Sequence, residues 1–523
     1  MKMFKKIAAV LLCICICALA FAGCGNKGDD SSKKVTLVWA LPTSEQTDFA
    51  KVSKKINEKL EKLLPNTQLD LKLDASMASK WSLWMAGGEK IDIAHAGFVN
   101  DIQTEINAES YTALNDLVDK YAPTLKEQRN GIFKDLYDCG TYKGELYAIP
   151  IPQIYVKETL TITIPDDLTQ YIDTAAIVDE CYKSSTTTEK VYELLDSYLN
   201  KAKVAKAIGT DKISDIINPE TMFDLAKRGY EFIGGDNSSA CYKMSADGAV
   251  KIEDFHKTEE FKTFIKWMSK WYKDGYVSKD VLTGGGAGSK CYLIECHKLD
   301  RMNEGEDHTY SKLDGSVGVN RRYICVTNPE HDYRGSAQLG YLKTFIAIPT
   351  TCENPVRAIK FIDLLYSEKG AELLNLINYG IEGEHYQKDS DDEITAFDYQ
   401  GQASSSSKYG IPNWMTANMF NSYVIKPYTE ETKKYAQNYF EKTNPSRPKT
   451  PLYGFSFDSS DYTVKLSNIS LVNQEFELQL TSGVYENYDS VYNTLISKTE
   501  SAGIKELIAD YQKQADKYLS SKK

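Results

Sequence analysis

The residues that could do chemistry are few, and most fail on spacing. Cys291-x4-Cys296-His297 places two thiols and an imidazole close together. Structural zinc sites need paired CxxC or HxxxH spacing, which this stretch lacks, so buried thiols and a surface His are expected and no metal. Gly284-Gly285-Gly286-Ala287-Gly288-Ser289-Lys290 is out of register with the phosphate-cradling G-x-x-x-x-G-K-[ST]. No G-x-S-x-G is present, and 73 carboxylates single out no acid–base pair. No enzyme activity and no cofactor are therefore expected. What remains are groups suited to holding a polar ligand. Trp414, in a Pro/Asn-rich loop with no helical stripe, offers a stacking face, and Asn418 is a hydrogen-bonding neighbour. Trp81 and Trp84 offer further faces, although core packing of a short helix explains them too. Asp92 can accept hydroxyl protons, or cap a helix. Thr43, Ser44 and Glu45 follow a strand, and capping alone accounts for Thr43. Tyr379, Glu382 and His385 lie in a Gly-bounded turn that either lines a cleft or joins two lobes.

Positioning these groups requires elements, and the chain begins with a segment of another kind. Lys2, Lys5 and Lys6 precede the uncharged run Ile7–Ala20, which has the charge and length of a secretory leader and is too short to span a bilayer. Phe21-Ala22-Gly23-Cys24 resembles a lipoprotein box, with Phe21 where Leu is usual; Cys24 is then the lipidated residue. The stretch after it is Gly- and Ser-rich, polar, and reads as a tether over 24–34. An extracellular chain held to the cell membrane by lipid is expected. Loss of the leader takes the net charge from −11 to −14, which repels phosphate backbones and makes nucleic acid an unsuitable partner. Cys139, Cys181, Cys241, Cys291, Cys296, Cys325 and Cys352 are odd in number and irregular in spacing, so no disulfide framework is expected.

Val35–Leu41 reads as a buried strand, and Thr43 with Gln46 has capping-box spacing. Phe49, Val52, Ile56, Leu60 and Leu63 predict an amphipathic helix that Pro65-Asn66 ends. Leu69, Leu71 and Leu73 alternate with charges, as in a strand. Trp81, Trp84 and Met85 lie on a short helix before the strand Ile91–Ala94. Strand, helix, strand, helix, strand predicts a doubly wound α/β sheet. Helices are expected around Val191–Leu199 and Phe261–Trp271. The stretch Thr283–Lys343 is poorly periodic. Leu342–Pro349 returns to a strand, and Asn354-Pro355 opens a helix with Val356, Ile359, Phe361, Ile362 and Leu365 on its apolar face. Gln402–Ser407 is a low-complexity loop. Ile504, Leu507, Ile508, Tyr511 and Tyr518 line a terminal helix.

Several stretches in their order resemble one family. Besides the lipobox and tether, these are Gly87–Ile93, Gly144–Pro150, Pro355–Tyr366, Leu374–Tyr386 (LNLINYGIEGEHY), Asn413–Asn418 (NWMTAN), Gly454–Phe457 and Gly503–Gln514. They are similar to motifs of the family 1 extracellular solute-binding proteins of ABC importers, in particular the large sugar-binding lipoproteins of Gram-positive bacteria. The resemblance spans about Val35 to Leu519. It implies a two-lobed α/β clamp with a hinge and a C-terminal helical segment: lobe one from 35–150 with 339–386, lobe two from 151–338 with 387–450, and a C-terminal region 451–523. Ligand would lie between the lobes, near loops after the Val35, Ile91 and Phe345 strands. It implies a monomer that hands a small solute, an oligosaccharide first of all, to permease subunits. A surface-anchored glycan adhesin and a glycoside hydrolase are the alternatives.

Overall fold

A computed structural model describes residues 31–521, apart from 101, 158, 210–212, 234–237, 245–249, 283–290, 315–317, 329–331, 333–343, 400–406, 427, 454 and 456. The leader, Cys24, the Gly-rich run 284–290 and most of the 402–407 loop lie outside the described residues. In chain order the principal elements are β1 (Val35–Leu41), α1 (Phe49–Leu63), β2 (Thr67–Leu73), α2 (Met77–Ala86), β3 (Ile93–Ala96), β4 (Ala148–Pro150), β5 (Thr159–Pro165), α3 (Thr188–Gly209), β6 (Ile213–Ile217), α4 (Pro219–Ala226) and α5 (Glu259–Lys273). There follow β7 (Cys291–Leu299), β8 (Thr309–Asp314), β9 (Val319–Cys325), β10 (Phe345–Ala347), α6 (Pro355–Tyr366), α7 (Ala371–Tyr379), α8 (Thr463–Thr481), α9 (Tyr488–Ala502) and α10 (Ile504–Ser521).

The first lobe is built on a sheet of order β2-β1-β3-β10-β4. β1 pairs in parallel with β2 from Val35↔Thr67 to Leu41↔Leu73, and with β3 at Ala40↔Ala94. The alternation in β2 does what period 2 requires: Leu69 and Leu71 are buried and Asp70 is exposed. On α1 the buried residues are Val52, Ile56 and Leu60, one stripe of the helix. The expected Thr43–Gln46 capping box is absent. The helix begins at Phe49, and the Gln46 side chain instead grips the Gly410 backbone, donating to its carbonyl at 2.9 Å and accepting from its N–H at 3.3 Å.

One strand departs from the doubly wound pattern. β10 is antiparallel to both β3 and β4, with Phe345 opposite Ala96 and Pro150. The carboxyl end of β10 therefore lies at the edge opposite the ends of β1 and β3, and the loop after the Phe345 strand leaves the candidate set. Its amino end takes that place. At this edge Thr344 meets the chain leaving β4: the Ile151 N–H donates to the Thr344 carbonyl at 3.0 Å, and the Gln153 amide donates to Thr344 Oγ1 at 2.8 Å.

The second lobe has a sheet of order β8-β9-β5-β7-β6, in which only β6 and β7 are parallel. Three of its strands come from the poorly periodic 283–343 stretch. β5 (TLTITIP) is buried at every position and so carries no alternation to read. At its start the two crossings lie side by side again: the Leu160 N–H donates to Thr327 Oγ1 and the Val326 N–H to the Leu160 carbonyl, both at 2.9 Å. The chain thus leaves the first sheet from the carboxyl edge of β1 and β3, and returns to it.

Two large cores match the two sheets. One joins Leu37, Trp39, Ile149, Ile346 and Phe361 to Tyr409, Ile411, Met415, Ala417, Met419 and Phe440. The other joins Ile162, Tyr192, Phe264 and Trp271 to Leu480 of α8 and Leu495 of α9. A smaller core sets Ile504, Leu507 and Tyr511 of α10 against Tyr242 and Ile252. The C-terminal region therefore packs on the second lobe, and Asp458 also accepts from the Asn107 side chain of the first at 2.9 Å.

Candidate functional site

The carboxyl edge of the first sheet collects three stretches. The loop after β1 carries Ser44 and Glu45, both exposed, while Thr43 is buried. The turn after β3 carries Phe98, a large apolar side chain left 63% exposed. The segment 411–419 comes to the same edge, because the Met419 N–H donates to the Pro152 carbonyl at 3.0 Å and the Met415 carbonyl lies 3.1 Å from His95 Nδ1. This last segment presents Trp414.

Trp414, Phe98 and His95 form one aromatic group. Trp414 meets Phe98 edge-on at 5.3 Å and His95 at 5.8 Å, and Phe98 meets His95 at 6.4 Å. Such contacts hold ring faces in fixed orientations. Trp414 is half-buried, Phe98 is largely open and His95 is closed off beneath them. Burial pushes His95 down to about 4, against the Met415 carbonyl that raises it, so the ring is neutral at physiological pH. Phe98 and His95 were missed by sequence reasoning. A lone His in a buried strand carries no pattern, but Phe98 beside Gly97 in a turn is an exposed aromatic that strand placement could have flagged.

The other predicted residues are placed elsewhere or engaged otherwise. Trp81 is 1% exposed and packs with Tyr111, Ala40 and Phe345 on one face of the sheet. Trp84 shares that core, with Lys72 Nζ 4.4 Å above its ring. Asp92 is wholly buried at the opposite edge of the sheet, where its carboxylate accepts the Val38 N–H at 2.9 Å. Asn418 caps a short helical turn by accepting from the Phe420 N–H at 3.1 Å. Tyr379 is buried, donating to the Tyr423 carbonyl at 2.7 Å and accepting from Asn413 at 2.9 Å. Glu382 is exposed on the turn that follows. His385 is buried beneath that turn; its Nδ1 accepts from the Ile381 N–H at 2.9 Å, so its Nε2 donates to Asp48 at 3.2 Å. Gly380 sits there at φ +79°, and a Cβ on it would lie 2.6 Å from His385 Nδ1, which is why the turn needs glycine.

On the second lobe, the end nearest the crossings carries a polar cluster that the sequence did not advertise. Arg301 Nη1 donates to both Glu304 carboxylate oxygens, at 2.8 and 2.9 Å, and reaches Tyr182 Oη at 3.2 Å, while Nη2 donates to the Thr327 carbonyl. His308 stacks on Tyr182 at 4.4 Å. The Arg301 N–H donates to Tyr435 Oη at 2.9 Å, and Tyr435 packs on the first core, so this cluster ties the lobes beside the crossings. Cys296 and His297 are adjacent on β7 and so point to opposite faces; the Cys296 thiol is buried 3.5 Å from Met222 Sδ.

The chain is 23% identical, over the whole of both chains, to a carbohydrate ABC transporter substrate-binding protein of Streptococcus pneumoniae. It is 23% identical to a polygalacturonan/rhamnogalacturonan-binding protein of Bacillus subtilis, over 96% of this chain and 97% of that one. Among solved structures, an N-glycan transport solute-binding protein of Streptococcus pneumoniae superposes with a TM-score of 0.68 at 18% identity, covering 94% of this chain and all of that one. A human-milk-oligosaccharide-binding solute-binding protein of Bifidobacterium longum infantis gives 0.60 at 16% identity, over 93% and 99%. The chain has the fold of the ABC-importer solute-binding proteins. A family model described as a domain of unknown function (DUF3502) matches residues 451–520, the region of α8 to α10. Among the described residues, no helix is long and apolar enough to cross a membrane.

Proposed function

We propose that this is a lipid-anchored, extracellular substrate-binding protein that captures an oligosaccharide between its lobes and delivers it to an ABC transporter permease. It acts as a monomer, without catalysis or cofactor. The observation that carries the reading is the aromatic pair of half-buried Trp414 and exposed Phe98 at the carboxyl edge of the first sheet, where the crossings leave. Ligands of open α/β sheets bind at such edges, and pyranose C–H faces pack on aromatic faces. The carbohydrate-binding relatives that match over the full chain support the same class of ligand. The lobe assignment proposed here moves 409–440 into the first lobe, since Tyr409, Met415, Met419 and Phe440 pack in its core. Trp414, Phe98, Ser44 and Glu45 are proposed to face ligand, while Trp81, Trp84, Asp92, Thr43, Tyr379 and Asn418 hold the frame. Cys24 is proposed to carry the lipid.

A thermal-shift screen of the full-length protein against neutral oligosaccharides, oligogalacturonides, short peptides and polyamines tests this. A saccharide at 100 times its Kd should add about 2.7 kcal/mol of stability. A shift with peptides or polyamines alone would overturn the sugar assignment. Slow breakdown of the bound glycan would turn the reading to a hydrolase.

A further inference from the structure

His95 lies on β3, wholly buried, with its ring beneath Trp414 and Phe98. Its Nδ1 is 3.1 Å from the Met415 carbonyl oxygen, which can only accept, so Nδ1 carries the proton. In a neutral ring Nε2 is then a bare acceptor. Among the described residues nothing donates to it, and it is closed to solvent. A buried acceptor left without a donor costs about 1–3 kcal/mol and calls for a physical reason. The surroundings offer one. The rings packed edge-on against the imidazole are Phe98, which is 63% exposed and follows Gly97 at φ +86°, and the half-buried Trp414.

We infer that His95 Nε2 is the hydrogen-bond acceptor of the saccharide subsite, receiving a hydroxyl proton from a sugar ring packed against Trp414 once Phe98 swings aside. This rests on the proposed sugar-binding function and adds a chemical choice to it. Nε2 offers a lone pair and no proton, so it selects a donor. A hydroxyl fits, whereas a uronate carboxylate, an acceptor only, would face the lone pair unpaired. The subsite therefore sets a sugar hydroxyl, and not a carboxylate, against the ring.

The test is nitrogen NMR of the full-length protein labelled with 15N-histidine, with the His95 signals assigned by His95→Gln. The probes are Man5GlcNAc, a panel of neutral oligosaccharides and an oligogalacturonide, with binding registered separately by calorimetry. Expected before addition is a protonated Nδ1 and an Nε2 signal typical of an unbonded lone pair. A bound neutral saccharide should move Nε2 toward the hydrogen-bonded position and leave Nδ1 in place. His95→Phe should lose at least tenfold in the affinity of its folded fraction, beyond any fall in melting temperature from losing the bond to the Met415 carbonyl, and His95→Gln should recover part of that affinity. Calorimetric binding with His95 Nε2 unmoved would overturn this inference and leave the sugar-binding function standing. An Nε2 already hydrogen-bonded without sugar, through water, would overturn it too. No binding by any saccharide would overturn both.

Discussion

His256 should be a charged histidine inside the protein, and its loss should cost stability in a pH-dependent way. It is fully buried, 3.3 Å from Asp254 and 3.7 Å from Glu477 on α8. Hydrogen bonding to the two carboxylates and attraction to their charge both favour the protonated ring. Burial opposes the charged form, but the two carboxylates outweigh it and raise His256 to about 9. Asp254 answers in kind: burial works against its charge, and His256 holds it below the usual carboxylate range. The rise from 6.5 to about 9, at about 1.36 kcal/mol per unit, amounts to roughly 3 kcal/mol. Because the folded value is the raised one, this contribution is complete below pH 6.5 and is lost as pH climbs through 9. Other groups facing the site are Phe261, which meets the ring edge-on, and Tyr492 of α9, whose hydroxyl donates to the His256 carbonyl at 3.0 Å. The perturbation is His256→Gln, which keeps a polar side chain and cannot carry charge. The assay is urea unfolding of both proteins at steps from pH 6 to pH 9.5. The variant should be less stable at pH 6 by about 3 kcal/mol, and the gap should close toward pH 9.5. A gap that stays constant with pH would refute the reasoning, since it would mean that His256 is neutral and matters only for packing.

Four further outcomes follow from particular residues. Trp414→Ala should weaken saccharide binding by roughly 1–4 kcal/mol, as for an aromatic hot spot; unchanged affinity by calorimetry removes Trp414 from the site. Trp81→Ala, in the core beside Tyr111, should cost about 3–5 kcal/mol in unfolding experiments while the folded fraction keeps its affinity; a selective loss of binding would return Trp81 to the ligand. Gly483→Ala, at φ +74° with a Cβ driven into the Met268 backbone of α5, should destabilise by more than about 1 kcal/mol and lower the melting temperature. Cys24→Ser should release the protein into the medium, read by blotting cells and supernatant; protein that stays on the cell would contradict the lipid anchor.

The first lobe was legible where one physical signal acted alone. The run Val35–Leu41 and the stripe on Phe49–Leu63 predict β1 and α1 at their observed bounds, because burial on one face leaves a clear period. The helix opened by Asn354-Pro355 buries all five residues of its predicted apolar face. The helix-start signal at Thr43–Gln46 misled because a tertiary contact took it over: Gln46 serves Gly410, 364 residues away. Strand direction was beyond reach for Phe345–Ala347, since a strand's pattern is the same read up or down the sheet. The second-lobe strands β5 and β7 to β9 stayed hidden for a related reason: β5 is buried on both faces, and Arg321 and Glu295 are charges that pair inside the lobe, 3.0 Å apart, where alternation would call for apolar side chains. At the site, Trp414 stood out as an aromatic in a loop. Its partners did not, because His95 and Phe98 lie more than 300 residues away in sequence, and only the fold brings the rings together. Trp81, Asp92 and Tyr379 have side chains suited to ligand, and each is spent on the frame.

The most direct test of the central claim is small-angle X-ray scattering of the full-length protein with and without a saccharide shown to bind by calorimetry. A two-lobed clamp that traps its ligand should close, so the radius of gyration should fall at saturation and recover when the sugar is removed. Tight binding with no change in the scattering curve would contradict the account and favour a static glycan adhesin.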